Sequence, residues 1–260
     1  MSEAISEAGC RVAISGNGAD ELFTGYYDHY SFWLAEMKNK NSFTDLQSDW
    51  QKSYGAYVQN PVLQDPLVFF KNPLERGHIF LNSETFNAWL HDPFEETFEE
   101  SEYSNNLLRN RMLNEIRHET IPVILHEDDR NSMYYSVENR SPYLDRDLAE
   151  FLFQIPPELL IKNGYVKYLL RAAGTGFVSD NVLWDKRKRG FNAPIDHLVD
   201  RKDKVTREHL MADGPIFDIV RKDKIESYLN SDLTDNSFSK NLFSFISAKL
   251  FLEHYQDWNP

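Results

Sequence analysis

RVAISGNGADELFTGYY, residues 11–27, contains a strand, a glycine-rich turn and the start of a helix. The apolar run Val12–Ile14 predicts a short buried strand, and the Ser15–Gly18 turn that follows allows the chain to reverse sharply. Asp20 and Glu21 fall where the next helix would begin. Because glycines permit positive φ and close approach of a ligand, and because helix-start amides favour anions, the stretch indicates an anion or nucleotide site. An ordinary strand-to-helix turn is the alternative that the spacing leaves open.

Length and composition restrict the class of protein. The chain has 260 residues, of which 41% are hydrophobic and 14% aromatic, enough for a substantial core. A net charge of −13 argues against nucleic acid or an anionic membrane as a partner. The single cysteine, Cys10, allows no internal disulfide, which favours a reducing compartment. No apolar run reaches the roughly 20 residues that span a bilayer, and no signal-peptide pattern is present, so we predict a cytoplasmic protein.

The N-terminal residues predict one half-unit of a parallel α/β sheet. Ser2–Ala8 has the pattern of a short helix that Gly9 ends, and the strand, turn and second helix follow directly. In such sheets ligands bind at the carboxyl ends of the strands, which places the Ser15–Gly18 turn at the working edge. No second strand is evident in the sequence, so the sheet that Val12–Ile14 should join is not identified.

Most of the remaining chain has helical periodicity. Apolar residues recur at helical spacing between Leu107 and Leu125, where Pro122 predicts a break or kink. The pattern is again helical after Pro194, with an interruption at Asp213–Pro215. Two apolar stripes are predicted to be core rather than ligand surfaces: Tyr30, Trp33, Leu34 and Met37, and Phe238, Leu242, Phe245 and Leu252.

The sequence contains no repeat, low-complexity tract or obvious linker. We therefore predict a single domain over residues 1–260. Residues 1–28 would form an α/β edge with the nucleotide loop, and residues 29–260 would be mostly helical.

Two later stretches carry dense polar motifs. HEDDRNSMYYSVENRSPYLD occupies residues 126–145; on residue type alone, Glu138 and Arg140 could form a surface ion pair, and Asp145 could cap a helix. KNGYVKYLLRAA and WDKRKRGFNAPI follow, at residues 162–173 and 184–195. Four consecutive cations would usually form a solvated patch or a nucleic-acid contact. In an acidic chain, and directly before a glycine, they favour a triphosphate or pyrophosphate.

In this order the three stretches resemble the asparagine synthetase family. The turn resembles its SG-acidic-G-small-DE loop, residues 129–145 resemble DR-x-SM-x-x-S-x-E-x-R-x-P-hydrophobic-LD, and the third stretch resembles a lysine-containing helix followed by a lysine before GF. The resemblance implies a mainly α fold with a small parallel α/β remnant, the C-terminal part of an adenine-nucleotide α-hydrolase-like synthetase domain of the PP-loop type. It also implies two chemical steps: ATP adenylates a carboxylate, and ammonia from glutamine then displaces AMP to form an amide.

The resemblance also implies roles for individual residues and for two cofactors, ATP and Mg²⁺. Adenylation brings anionic groups together, so it requires Mg²⁺ and Lys or Arg, and ammonia attack requires a base. The implied assignments are Lys188, Glu138 and Asn17 as catalytic residues, Ser15, Gly16 and Gly18 at the nucleotide, Arg140 and Asp145 at the substrate, and Asp20 at the metal.

Two departures from the family pattern are visible. The position between the glycines, normally acidic, is Asn17, which cannot accept a proton; Glu138 could act as base instead, or Asn17 could orient the substrate. The family's first nucleotide loop, SGG-x-DS, and its N-terminal cysteine nucleophile are absent, since Met1 is followed by Ser2. We therefore predict a truncated frame or the downstream half of a split synthetase, active only with an N-terminal half in cis or in trans.

The acceptor substrate is open at this point. Aspartate is the carboxylate that the family name implies, but ADELFTGYYDHY and HEDDRNSMYYSVENRSPYLD resemble more closely a branch that amidates uronic acid sugars of surface polysaccharides. A non-catalytic remnant or interaction module is the alternative from a different class, because Asn17 and the missing loop would permit it.

Overall fold

The computed structural model describes residues 1–79, 86–94, 98–187, 195–231 and 236–256. Contacts within the chain define two compact units. The first comprises Met1–Glu75 and Glu99–Lys188, and the second comprises Arg76–Phe98 and Arg189–Pro260. The predicted composition, mainly helix with a small parallel sheet, is confirmed. None of the described helices is both long enough and apolar enough to cross a bilayer.

The first unit places short helices around one small sheet. Between its helices lie 3₁₀ turns at Gly55–Tyr57, Pro61–Gln64, Pro142–Leu144 and Pro157–Leu159. Its elements in chain order are α1 (Ser2–Glu7), β1 (Val12–Ile14), α2 (Ala19–Phe23), α3 (Tyr27–Glu36), α4 (Phe43–Ser53), α5 (Val68–Lys71), α6 (Leu107–Arg117), α7 (Thr120–Tyr134), β2 (Glu138–Arg140), α8 (Arg146–Gln154), α9 (Tyr168–Ala173) and α10 (Asp180–Leu183).

The sheet pairs β1 with β2 in parallel. Val12 lies opposite Glu138, and Ile14 lies opposite Arg140. The predicted strand is confirmed, whereas its partner was not identified, because the sequence Glu-Asn-Arg has no apolar alternation that would indicate a strand. The expectation that β1 is buried is wrong: Val12 is 45% and Ile14 77% exposed. In a pleated strand these two side chains point to the same face, and α7 packs against the sheet through the opposite face.

The turns at either end of β1 have the predicted form. Gly9, after α1, has φ of +79°, and Gly18, before α2, has φ of +90°. Both lie in the left-handed region that favours glycine. The break expected at Pro122 is also present: α6 ends at Arg117, and Pro122 lies in the first turn of α7, where proline is tolerated.

The core of the first unit is aromatic and centres on α3. The predicted stripe of α3 is buried, and Phe32 stacks on Phe69 with ring centroids 3.6 Å apart. Trp33 donates its indole N–H to the carbonyl of Pro157 at 2.8 Å, which satisfies its polar atom. These residues pack rather than face a ligand, as predicted: Tyr30, Trp33, Leu34 and Met37.

The second unit has its own apolar core. Leu242 and Phe245 of the predicted C-terminal stripe are buried in it and Leu252 packs against it, while the side chain of Phe238 lies outside the described part. The interruption expected at Asp213–Pro215 is a 3₁₀ turn, Pro215–Asp218. In the described part of the unit the helices are α11 (Ile195–Leu198), α12 (Lys204–Met211), α13 (Lys222–Leu229) and α14 (Asn236–His254).

Candidate functional site

The turn between β1 and α2 lies at the carboxyl ends of both strands. The amide of Ser15 donates to the carbonyl of Arg140 at 2.8 Å, which continues the strand pairing into the turn. The Ser15 and Ser141 hydroxyls are 2.9 Å apart. A Cβ on Gly18 would lie 2.4 Å from Leu144 Cδ2. Position 18 therefore requires glycine both for its positive φ and for its close approach to the segment after β2.

Asn17 joins the turn to helix α7. Its Nδ2 donates to Asp128 Oδ2 at 2.6 Å, and Asn139 Nδ2 donates to the same oxygen at 3.2 Å. Asp128 is half-buried. The turn, β2 and α7 are thus joined through the Asp128 carboxylate. The sequence analysis did not predict Asp128 as a site residue.

Asp20 pairs with a lysine from the third motif. Lys167 Nζ lies 2.8 Å from Asp20 Oδ2, and their side chains are 25% and 31% exposed. Lys167 directly precedes α9 and has φ of +56°. A Cβ on Gly25 would lie 1.7 Å from Asp20 Oδ1, so glycine at 25 makes room for the pair. Sequence reasoning noted the lysine-containing helix but did not select Lys167, and its position in that motif is the signal that could have identified it.

Glu138 and Arg140 lie apart from this arrangement. They form an ion pair with Nε···Oε1 of 3.0 Å, with side chains 57% and 63% exposed. The hydrogen bond from the Glu138 carboxylate raises the pKa of Arg140 above its usual range. Successive residues of a strand face opposite sides, so Glu138 points away from the face on which Asn139 meets Asp128. The structure does not bring Glu138 together with Ser15.

The remaining predicted residues have other positions. Gly16 has open space around its missing Cβ, and its carbonyl accepts from the amide of Ala19 at 3.2 Å. Asp145 caps α8 by accepting from the amide of Leu148 at 3.0 Å. Lys188 lies outside the described residues.

A buried ionic network lies behind the turn. His29 Nε2 is 2.8 Å from Glu115 Oε2, and Arg111 Nε is 3.1 Å from Glu115 Oε1 and 3.9 Å from an Asp28 oxygen. Burial alone would favour the neutral imidazole, but the Glu115 carboxylate raises the pKa of His29. Burial raises the pKa of Glu115.

Three members of this network also have the composition of a metal site. Asp28, His29 and Glu115 offer ligand atoms within 4.8 Å of one another. The Arg111 guanidinium already supplies positive charge to both carboxylates. We therefore assign the cluster a structural role, in which buried charges neutralise one another.

Asp20 fits the requirements of a magnesium ligand. Mg²⁺ usually binds one or two protein carboxylates together with substrate phosphates. Asp20 is a half-exposed carboxylate at the carboxyl end of β1, where a ligand can reach it. Its present partner is the Lys167 ammonium, a second positive group that phosphates would attract.

A small parallel sheet within a mainly helical chain, ending in a glycine turn beside a carboxylate and a lysine, forms a candidate ligand site at the carboxyl edge of the sheet. A sequence model of the asparagine synthase family matches residues 1–253. The chain belongs to this family.

Individual relatives are similar to this chain over only part of their own length. Asparagine synthetase (glutamine-hydrolyzing) 1 of Bacillus subtilis is 29% identical over 253 residues, which cover 87% of this chain and 38% of that enzyme. An amidase of Gibberella zeae is 22% identical over 228 residues, which cover 75% of this chain and 34% of that protein. The chain thus spans well under half the length of either relative.

Proposed function

We propose that this chain forms the nucleotide-binding part of an ATP-dependent amidotransferase, which adenylates a carboxylate and converts it to an amide with ammonia from glutamine. The observation that carries the proposal is the convergence of the Ser15–Gly18 turn, Asp20 and Lys167 at the carboxyl ends of two parallel strands. Lys167 lies 147 residues from Asp20 in the sequence, so the fold rather than local order brings it to the turn. Membership of the asparagine synthase family supports the reaction class.

In this proposal the first unit positions the phosphates. The Ser15 hydroxyl and the backbone of Gly16 and Gly18 hold the nucleotide, because an open glycine turn gives an anion close access to amides. Lys167 lies beside this turn through its ion pair with Asp20. Lys167 and Lys188 then neutralise the charge of the leaving pyrophosphate.

Asp20 would hold Mg²⁺. The ion, when bound, supplies positive charge that stabilises the charge developing on the phosphates. Asp20 keeps its place because Gly25 leaves room for the carboxylate and because α2 begins directly before it.

The fold proposed for the complete site is of the PP-loop type. The chain has no SGG-x-DS sequence, so an N-terminal portion in cis or in trans would supply the first nucleotide loop and the glutaminase. The exposed side chains of Val12 and Ile14 support this, since they form an apolar area on one face of the sheet that a further segment would bury. We propose the cytoplasm as its location, a small-molecule carboxylate as its substrate, and neither nucleic acid nor a membrane as its partner.

ATP–pyrophosphate exchange tests the proposal. The chain is purified alone and after co-expression with the reading frame directly upstream, and exchange is measured with aspartate and with a panel of uronic acid sugars. We expect carboxylate-dependent exchange only from the co-expressed protein, which also identifies the acceptor. We expect Lys188→Ala to lower the exchange rate about 10²–10³-fold, the cost typical of removing one charge-stabilising donor.

A matched control is Lys204→Ala, which removes an exposed lysine from the second unit. Its exchange rate should equal that of the wild type. Asp20→Asn should raise the magnesium concentration needed for half-maximal exchange. Absence of exchange from the co-expressed protein with every acid, or unchanged exchange in Lys188→Ala, contradicts the proposal.

A further inference from the structure

Amide formation requires a base near the turn, and position 17 does not provide one. When ammonia attacks the acyl-adenylate, the nitrogen becomes positively charged and must lose a proton. Asn17 cannot accept that proton. Its amide instead donates to a carboxylate of helix α7, Asp128, at 2.6 Å. The carboxylate absent from the turn is therefore present one hydrogen bond away from it.

We propose that Asp128 is the general base of the amide-forming step; this inference rests on the proposed function. Asn17 and Asn139 are positioning residues. Both amides donate to Asp128 Oδ2, from the turn and from β2, so the carboxylate is fixed from two elements. A half-buried carboxylate with two donors has a defined orientation, and proton transfer requires such an orientation.

The strand geometry places Asp128 on the same face as the nucleotide turn. Ser15 and Ser141, whose hydroxyls are in contact, each lie two residues beyond a central strand residue, Ala13 and Asn139. Side chains two apart in a strand share a face. Asn139 points to Asp128, so the serine hydroxyls extend from the face that carries this carboxylate.

Two other acids considered for the site, Asp20 and Glu138, are engaged differently. Asp20 pairs with Lys167 and is proposed to hold Mg²⁺. Glu138 lies on the opposite face, more than half exposed, and pairs with Arg140. Asp128 is the acid that both the turn and β2 contact through side chains.

The proposed step is balanced. The ammonia nitrogen forms a bond to the acyl carbon, and the bond from that carbon to the AMP oxygen breaks, with AMP taking the electron pair. The nitrogen gives one proton to the Asp128 carboxylate. The products are the amide, AMP and protonated Asp128, which returns its proton to water.

The test separates the two half-reactions in the co-expressed protein. Asp128→Asn keeps the size of the side chain but cannot accept a proton. We expect it to retain ATP–pyrophosphate exchange within about threefold, and to lose amide formation from ammonia by about 10²–10⁴-fold, the range typical of a lost general base.

The double variant Asn17→Asp/Asp128→Asn moves the carboxylate of this pair from helix α7 to the turn. We expect the double variant to form the amide at least tenfold faster than Asp128→Asn alone. Glu127→Gln, which removes an exposed carboxylate from the neighbouring position of α7, is the matched control and should leave both rates unchanged.

The possible failures are distinguishable. Parallel loss of exchange and amide formation in Asp128→Asn, or loss of neither, overturns the inference and leaves the proposed function in place. Selective loss of amide formation in Glu138→Gln instead of Asp128→Asn also overturns it. Absence of exchange in the wild-type protein overturns the proposed function and this inference together.

Discussion

Gly25 shows how a single missing side chain positions the candidate site. A Cβ there would lie 1.7 Å from Asp20 Oδ1 and 2.5 Å from Lys167 Cε, well inside van der Waals contact. The ion pair between Asp20 and Lys167 occupies the space that any other residue at 25 would take. The sequence of the turn or of the third motif does not indicate this requirement for glycine at 25, because it depends on the contact between Asp20 and Lys167.

We expect Gly25→Ala to destabilise the first unit by about 1–3 kcal/mol, the usual cost of inserting an atom into a packed site. Urea unfolding measures the change, and the altered environment of Lys167 can be followed by NMR of its side chain. Gly16→Ala is the matched control, because a Cβ there would meet nothing within 4 Å. Equal stability of the two variants would contradict the assigned role of Gly25.

Some site residues could be predicted at this scale and others could not. Ser15, Gly18 and Asp20 follow from one local pattern of strand, glycine turn and helix start. Lys167 and Asp128 act through partners 147 and 111 residues away in the chain. The residues next to Lys167 and Asp128 in the sequence do not indicate which partner each side chain contacts.

Helices α3 and α6 carry the main buried charges of the first unit. Arg111 of α6 contacts Glu115 on its own helix, Glu100 at 2.5 Å, and Glu119, and its side chain is 3% exposed. Burial alone would lower the pKa of Arg111, but the carboxylates of Glu119, Glu115 and Asp28 raise it. The guanidinium therefore links elements that would otherwise bury unpaired negative charge.

We expect Arg111→Met to destabilise the protein by about 3–5 kcal/mol, because it leaves buried carboxylates without their cation. Arg146→Met provides the control, since Arg146 makes the same i, i+4 contact to Glu150 but is 86% exposed. Its loss should cost less than about 1 kcal/mol. Denaturant unfolding measures the free energy of unfolding of both variants. Similar small losses in the two would show that the Arg111 network is not structural.

At the element scale the sequence predicted one strand and missed the other. Val12–Ile14 is apolar and β-branched in part, so its strand was identified, although it lies on an exposed sheet edge. Glu138–Arg140 is entirely polar and becomes a strand only because β1 pairs with its backbone. Main-chain pairing requires no particular side chains, and composition therefore does not show it.

For the whole molecule, the buried pair of His29 and Glu115 couples stability to pH. Folding raises the pKa of both groups, with Glu115 as the partner that raises His29 against its burial. A raised folded pKa means that the native state binds the proton more tightly than the unfolded state. The resulting stability is present below the unfolded pKa of His, about 6.5, and is lost as the pH rises through the folded value.

We expect the free energy of unfolding of the wild type to fall as the pH is raised above about 6.5. Glu115→Gln should reverse this trend: burial then lowers the pKa of His29, and stability falls as the pH decreases below the unfolded pKa of about 6.5. His126→Gln, a change at an exposed histidine of α7, should follow the wild type. Urea titrations across the pH range measure all three, and parallel curves for wild type and Glu115→Gln would contradict this coupling.

The sequence by itself determined the family and the mainly helical class, because these depend on local spacing and on motif order. Only the tertiary structure decided that Lys167 faces Asp20, that Asn17 and Asn139 share Asp128, and that Glu138 points away from them. The reason is physical: a local pattern fixes backbone conformation within a few residues. The partners of Asp20 and Asn17 are chosen instead by packing between segments that lie more than a hundred residues apart.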